Sequence, residues 1–140
     1  MKFEEFPLAW RWTDSLHAVL PRAVLLQLQP MEPHDAQRAF ERARVLRLRV
    51  QDPRVAHSAD ITAAEGRDWL REQHGGLHDT VIIVWSSDCA LRTTWEIFTD
   101  YWSDFCYAAS DDVSIWPESE LWALFYYHHE EFEFLHRPLG

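Results

Sequence analysis

Basic residues are almost missing from the second half of this chain. Residues 72–140 hold two, Arg92 and Arg137, against thirteen Asp and Glu, a net of −11; residues 1–71 hold eleven Lys and Arg against ten acids, a net of +1. The halves add up to the formal −10 of the whole. A surface that acidic repels phosphates instead of neutralising them, so nucleic acid is not an expected partner. The charge favours a basic protein partner, and the plain alternative is a solvated acidic surface that aids solubility.

Long hydrophobic runs are also missing. None reaches the length of a membrane span, and Met1-Lys2-Phe3-Glu4-Glu5 has neither the charge nor the apolar core of a signal peptide. The expected location is therefore the cytoplasm, with no membrane partner. Glycine is sparse, at four residues, and Gly75-Gly76 lacks the further glycines and the lysine of a phosphate loop. The HExxH spacing of zinc proteases is absent, and no serine sits in a nucleophile elbow. No cofactor is implied.

What the chain has is aromatic residues: eight Trp, eight Phe and four Tyr in 140 residues that are 47% hydrophobic. That is enough for one domain with a proper core, and no repeat or linker divides it. A core unit is expected at about 81–135. It opens with the apolar strand Val81-Ile82-Ile83-Val84-Trp85. Leu91, Trp95, Phe98, Trp102 and Phe105 recur at intervals of four and three, which predicts a helix from Cys89 to Cys106, capped by Ser87 or Asp88. Val113–Trp116 reads as a short strand stopped by Pro117. Leu121–Tyr127 is apolar on both faces and should be central, while Phe132 and Phe134 alternate with Glu131 and Glu133 in a last strand that covers the core on one side.

Before that unit, Phe6, Trp10 and Trp12 should pack on the core as an extended piece. A brief helix capped by Thr13 or Asp14 runs through Val19, and a second begins at Pro21. Pro33 opens another, with Ala36, Ala39, Phe40 and Ala43 as its apolar stripe. Leu46, Leu48 and Val50 alternate with Arg47 and Arg49, the pattern of a half-buried strand, although the helix could instead extend to Leu48. Gln51–Ala59 reads as loop, and Thr62-Ala63-Ala64-Glu65 has the form of a capping box for a helix that Gly75-Gly76 ends. The expected fold class is α+β: a single domain with helices packed on a small, mainly antiparallel sheet.

The run Val81–Pro117 has Arg92-Thr93-Thr94-Trp95-Glu96-Ile97-Phe98 and Tyr101-Trp102-Ser103-Asp104-Phe105 at its centre. Together with Ala9-Trp10-Arg11-Trp12 and Arg137-Pro138, it resembles a bacterial family catalogued only as a domain of unknown function. The resemblance implies a shared fold and a small cytosolic bacterial protein. It carries over no catalytic residue, since the shared positions are mostly Trp and Phe at core spacing.

Three places hold candidate chemistry. Cys89, at the start of the expected helix, would gain a lowered thiol pKa from the free amides there, with His74, His78 or His128 as a base. Asp88 beside it works the other way, and a buried structural thiol is the competing reading, as it is for Cys106. On a helix the two cysteines would stand about 25 Å apart, too far for a disulfide. His128, His129, Glu131 and His136 have ligand chemistry for a metal, but a polar hairpin turn explains the same residues. Asp111, Asp112, Glu118 and Glu120 flank Trp116, a plausible docking edge for a basic protein, with a core Trp and solvated loops as the alternative. A non-enzymatic binding module, such as an immunity protein that masks a toxin, is the leading expectation. A small enzyme using Cys89 or a His/Glu metal site is the second.

Overall fold

Thr80-Val81-Ile82-Ile83-Val84-Trp85-Ser86 forms a strand whose alternate side chains enter two different cores, and the rest of the chain packs on its two faces. A computed structural model describes residues 1–49 and 53–136. Along the chain the elements are α1 (Trp10–Thr13), β1 (Ala18–Val19), α2 (Arg22–Leu25), β2 (Gln29–Pro30), α3 (Pro33–Arg47) and β3 (Arg54–Ser58). They continue with α4 (Ala63–Gln73), β4 (Thr80–Ser86), β5 (Cys89–Thr94), α5 (Trp95–Asp100), α6 (Trp102–Phe105), β6 (Val113–Pro117), β7 (Trp122–Tyr127) and β8 (Glu131–His136). Seven of the strands form one antiparallel sheet in the order β2-β5-β4-β6-β7-β8-β3. The domain is α+β, as its sequence implies.

The two faces of the sheet differ in how they are covered. On one, Val81, Ile83, Leu91, Ile115, Leu124, Phe132 and Phe134 meet the N-terminal segment and α4–α6 in a large aromatic core. On the other, Ile82, Val84, Ala90, Trp116, Ala123 and Phe125 meet α3 through Ala36, Ala39, Ala43 and Leu46. Three of the four α3 contacts are alanine, so the helix lies close to the strands. β7 has Trp122, Leu124 and Tyr126 in the first core and Ala123 and Phe125 in the second, which is why both its faces are apolar.

Five stretches depart from the expected elements. Trp10–Thr13 is α1 and not part of an extended piece, with Trp10 itself exposed, and in place of a helix through Val19 the chain turns back so that Ala18 and Val19 bridge to Asp14 and Thr13. The helix does not begin at Cys89: Cys89–Thr94 is β5, joined to β4 by a tight turn in which the Ser86 hydroxyl donates to Asp88. Leu91 and Trp95 face the same core either way, because a spacing of four fits both a helix face and the period of two of a strand. The cap is Thr94, whose hydroxyl accepts from the Ile97 amide at 3.2 Å. Arg44–Arg47 continues α3, while Val50 lies outside the described residues. Arg54–Ser58, within the expected loop, is instead β3, an edge strand paired with β8. It carries a half-exposed pattern with little apolar signal of its own.

α4 begins at the expected capping box, with the Glu65 amide donating to the Thr62 hydroxyl and that hydroxyl to Glu65. It packs on α6 through Gly66, where an added Cβ would lie 2.3–2.6 Å from three atoms of the Trp102 indole. That indole is fixed in turn by its N–H, which donates to Ala63 O at 2.8 Å. Gly66→Ala is therefore expected to destabilise by about 1–3 kcal/mol through overpacking. An unchanged urea midpoint would mean that α4 and α6 are not pressed together there.

Candidate functional site

Four carboxylates of the acidic half are paired across the fold. Arg11 pairs with Asp111, Arg42 with Glu120, Arg54 with Glu133 and Arg71 with Asp100, each arginine of the first half taking a carboxylate of the second. Arg92 adds a longer contact to Glu118 at 3.3 Å. The acidic half is thus not one acidic face.

The concave surface follows from how α3 sits. Its alanines hold the helix axis close to the sheet, and its two flanks stand open. One flank is the stripe Asp35, Arg38, Ala39 and Arg42, at the i, i+3, i+4, i+7 spacing of a single helix face. Opposite it, Arg92 of β5, Ile82 of β4 and Trp116 of β6 lie in one cross-strand row. Between them runs a groove of about 420 Å³, closed at its far rim by Glu118 and Glu120. Met31, Ile82 and Trp116 make its floor apolar. Arg42 holds Glu120 through two of its nitrogens, Nε at 2.6 Å. Among the described residues Asp35 and Arg38 are exposed and form no ion pair, and Glu118 is 65% exposed.

Of the five residues expected at a docking edge, the structure brings three together: Trp116, Glu118 and Glu120 all line this groove. Trp116 is only 2% exposed, so it is floor and core and not a protruding anchor. Asp111 and Asp112 lie at the other end of β6. Asp111 is buried and holds Arg11 at 2.5 and 3.1 Å, while also accepting the Tyr107 amide at 2.9 Å. Asp112 accepts from the His128 amide at 2.9 Å and lies 3.0 Å from its Nδ1. Burial works against its ionisation, but these His128 bonds, with His128 and Arg47 nearby, hold its pKa below the usual carboxylate range. Arg38, Arg42 and Asp35 were not legible as site residues. The only signal was their shared helical face beside an alanine stripe.

Cys89 lies on β5, buried, and its thiol is pushed up to about 12, first by burial and then by Asp88. Cys106 is buried as well, and burial raises it in the same direction. Both thiols are free. The expected helix between them is not there, so its 25 Å separation does not apply. A thiol with a pKa of about 12 is almost wholly protonated near neutral pH and is a poor nucleophile. Iodoacetamide should accordingly label both cysteines only on unfolding. Rapid modification of Cys89 in the folded protein would contradict this placement.

His128 and His129 form the turn between β7 and β8, closed by the Glu130 amide donating to Tyr127 O. Their rings stand at 87° to each other. His129 reaches Glu131 at 3.4 Å, but His136 lies at the opposite end of the hairpin, paired with Trp122 and packed on Phe134. Among the described residues no three His, Cys, Asp or Glu side chains are placed to hold a metal. No described helix is long and apolar enough to cross a membrane. No family model, curated protein or solved structure matches the chain.

Proposed function

We propose that this chain is a non-enzymatic binding module that holds a segment of a basic protein in the groove between α3 and the β5-β4-β6 face. The observation that carries the reading is the groove itself, an apolar floor under a rim of exposed charge. A basic side chain of the partner fits between Asp35 and Glu118, with an apolar neighbour on Met31, Ile82 and Trp116. Admitting it displaces Arg92 from Glu118, a partly exposed pair at 3.3 Å of the kind that contributes at most about 1 kcal/mol. Arg38 remains for a carboxylate of the same segment. The formal charge of −10 supports steering of such a partner over a Debye length of about 8 Å. An immunity protein that masks a toxin is one concrete form of this function.

The test begins with capture of a basic protein on the immobilised chain, followed by binding kinetics. Asp35→Lys combined with Glu118→Lys should weaken binding tenfold or more, about 1.4 kcal/mol, and part of the loss should lie in dissociation. Asp68→Lys with Glu72→Lys, on exposed α4 positions away from the groove, should slow association only, and less so in high salt. Equal loss from both pairs would show that net charge alone is at work and would sink the groove as the docking site.

A further inference from the structure

The opposite flank of α3 carries a second stripe with the same spacing: Phe40, Ala43, Arg44 and Arg47. It is displaced by five residues from the groove stripe, which is about 140° around the helix. With Val84 and Trp85 of β4, and Asp112 and Ser114 beside and on β6, it encloses a cavity of about 270 Å³. We infer that this cavity is a binding site for a small oxyanion ligand, a carboxylate or phosphate on a compact apolar body, held by Arg44, Arg47 and Ser114.

Six of the eleven described arginines pair with a carboxylate, and neither of these two does, although Asp112 lies near Arg47. Arg44 is exposed and forms no ion pair among the described residues. Arg47 donates one Nη to the Ser114 hydroxyl at 2.7 Å and lies over the Phe125 ring at 5.4 Å, but no carboxylate pairs with it among the described residues. Its Nε–H is buried without an acceptor. That nitrogen has no surface open to the cavity, so an anion there would be held by the Nη groups, one of which already donates to Ser114. The Ser114 oxygen already accepts from Arg47, so its own proton is free to be donated toward the same ligand.

Arg54 makes the contrast. It too stacks on Phe125 and has a buried Nε, but its other nitrogens donate to Glu133, Arg47 O and Arg49 O, so its charge is answered. Asp112, also on the cavity wall, accepts from the His128 amide and lies by its ring, and it keeps its negative charge near Arg47. A basic last turn of α3 does complement the helix dipole. The dipole, however, does not account for a cavity beside the two arginines. The volume lies just below the range of about 300–1,000 Å³ typical of drug-sized ligands, so a single small molecule fits and a nucleotide does not. Phe40 and Val84 would receive its apolar part.

The test is titration of the full chain with inorganic phosphate and, separately, with benzoate, at constant ionic strength, followed by amide and indole NMR. Saturable shifts are expected at the Val84 and Ser114 amides, with the Trp116 indole and the Arg92 amide unmoved. Benzoate should bind more tightly than phosphate if the apolar wall contributes, and the reverse order assigns the site to a free phosphate group. Arg44→Gln, at an exposed position, and Arg47→Met, which keeps the stem over Phe125, should each weaken binding about tenfold. Should Arg47→Met fail to fold, Arg44→Gln decides alone. The inference is overturned if neither probe saturates, if the shifts map to the groove on the other flank, or if folded Arg44→Gln binds as the parent does.

Discussion

Asp111→Ala is expected to lower the unfolding free energy by about 3–5 kcal/mol, the usual result of breaking one side of a buried ion pair. Both partners are nearly sealed from water, with side-chain exposures of 7% for Arg11 and 8% for Asp111. The guanidinium is stacked on Tyr107 at 3.9 Å and near Trp10 at 5.5 Å, so it has no route to solvent without moving α1. Its Nε already lacks an acceptor, and removal of the carboxylate strands the two Nη groups as well. The Tyr107 amide loses its acceptor in the same step. Replacing both residues, Arg11→Met with Asp111→Leu, should recover a large part of the loss, because the charge left behind is the main cost. Urea melts in which Asp111→Ala shifts stability by less than about 1 kcal/mol would show that the pair is open to water.

The second large effect belongs to Trp95. Trp95→Ala should destabilise by about 3–5 kcal/mol, the cost of emptying a fully buried aromatic site. The indole packs between Phe98 at 5.6 Å and Trp122 at 4.8 Å, and its N–H donates to His74 O at 2.8 Å. The truncation therefore leaves both a cavity and an unanswered carbonyl. Phe98→Ala should fall in the same range, since its ring is equally buried. These losses alone do not separate a helix beginning at Cys89 from a strand ending at Thr94. Thr94→Ala does: as the cap of α5 it should cost about 0.5–2 kcal/mol, whereas an exposed mid-helix threonine would cost nothing.

That ambiguity shows where the chain could be read and where it could not. β4, β6 and β7 were legible because their apolar runs are short, bounded and buried on two faces, which few other structures satisfy. β5 was hidden behind a helical spacing, although Thr93 and Thr94 are poor helix formers and spoke for a strand. The alternation of Leu46 and Leu48 with Arg47 suggested a strand, but α3 carries on through Arg47 because Leu46 completes the stripe begun by Ala36, Ala39 and Ala43. The docking edge was legible only in part, since pairing across the fold is not written locally. Nothing near Asp111 announces Arg11, a hundred residues away, or sets Trp116 facing inward.

The most direct measurement of the proposed binding function is site-specific photo-crosslinking in the native host. A photoreactive residue at Arg38, exposed on the groove wall, should cross-link one basic protein, and Glu118→Lys in the same chain should abolish the product. The same residue at Asp68, exposed on α4 on the far side of the sheet, should give no such product. Cross-linking from position 68 but not from position 38 would contradict the account and move the interface to the helical layer.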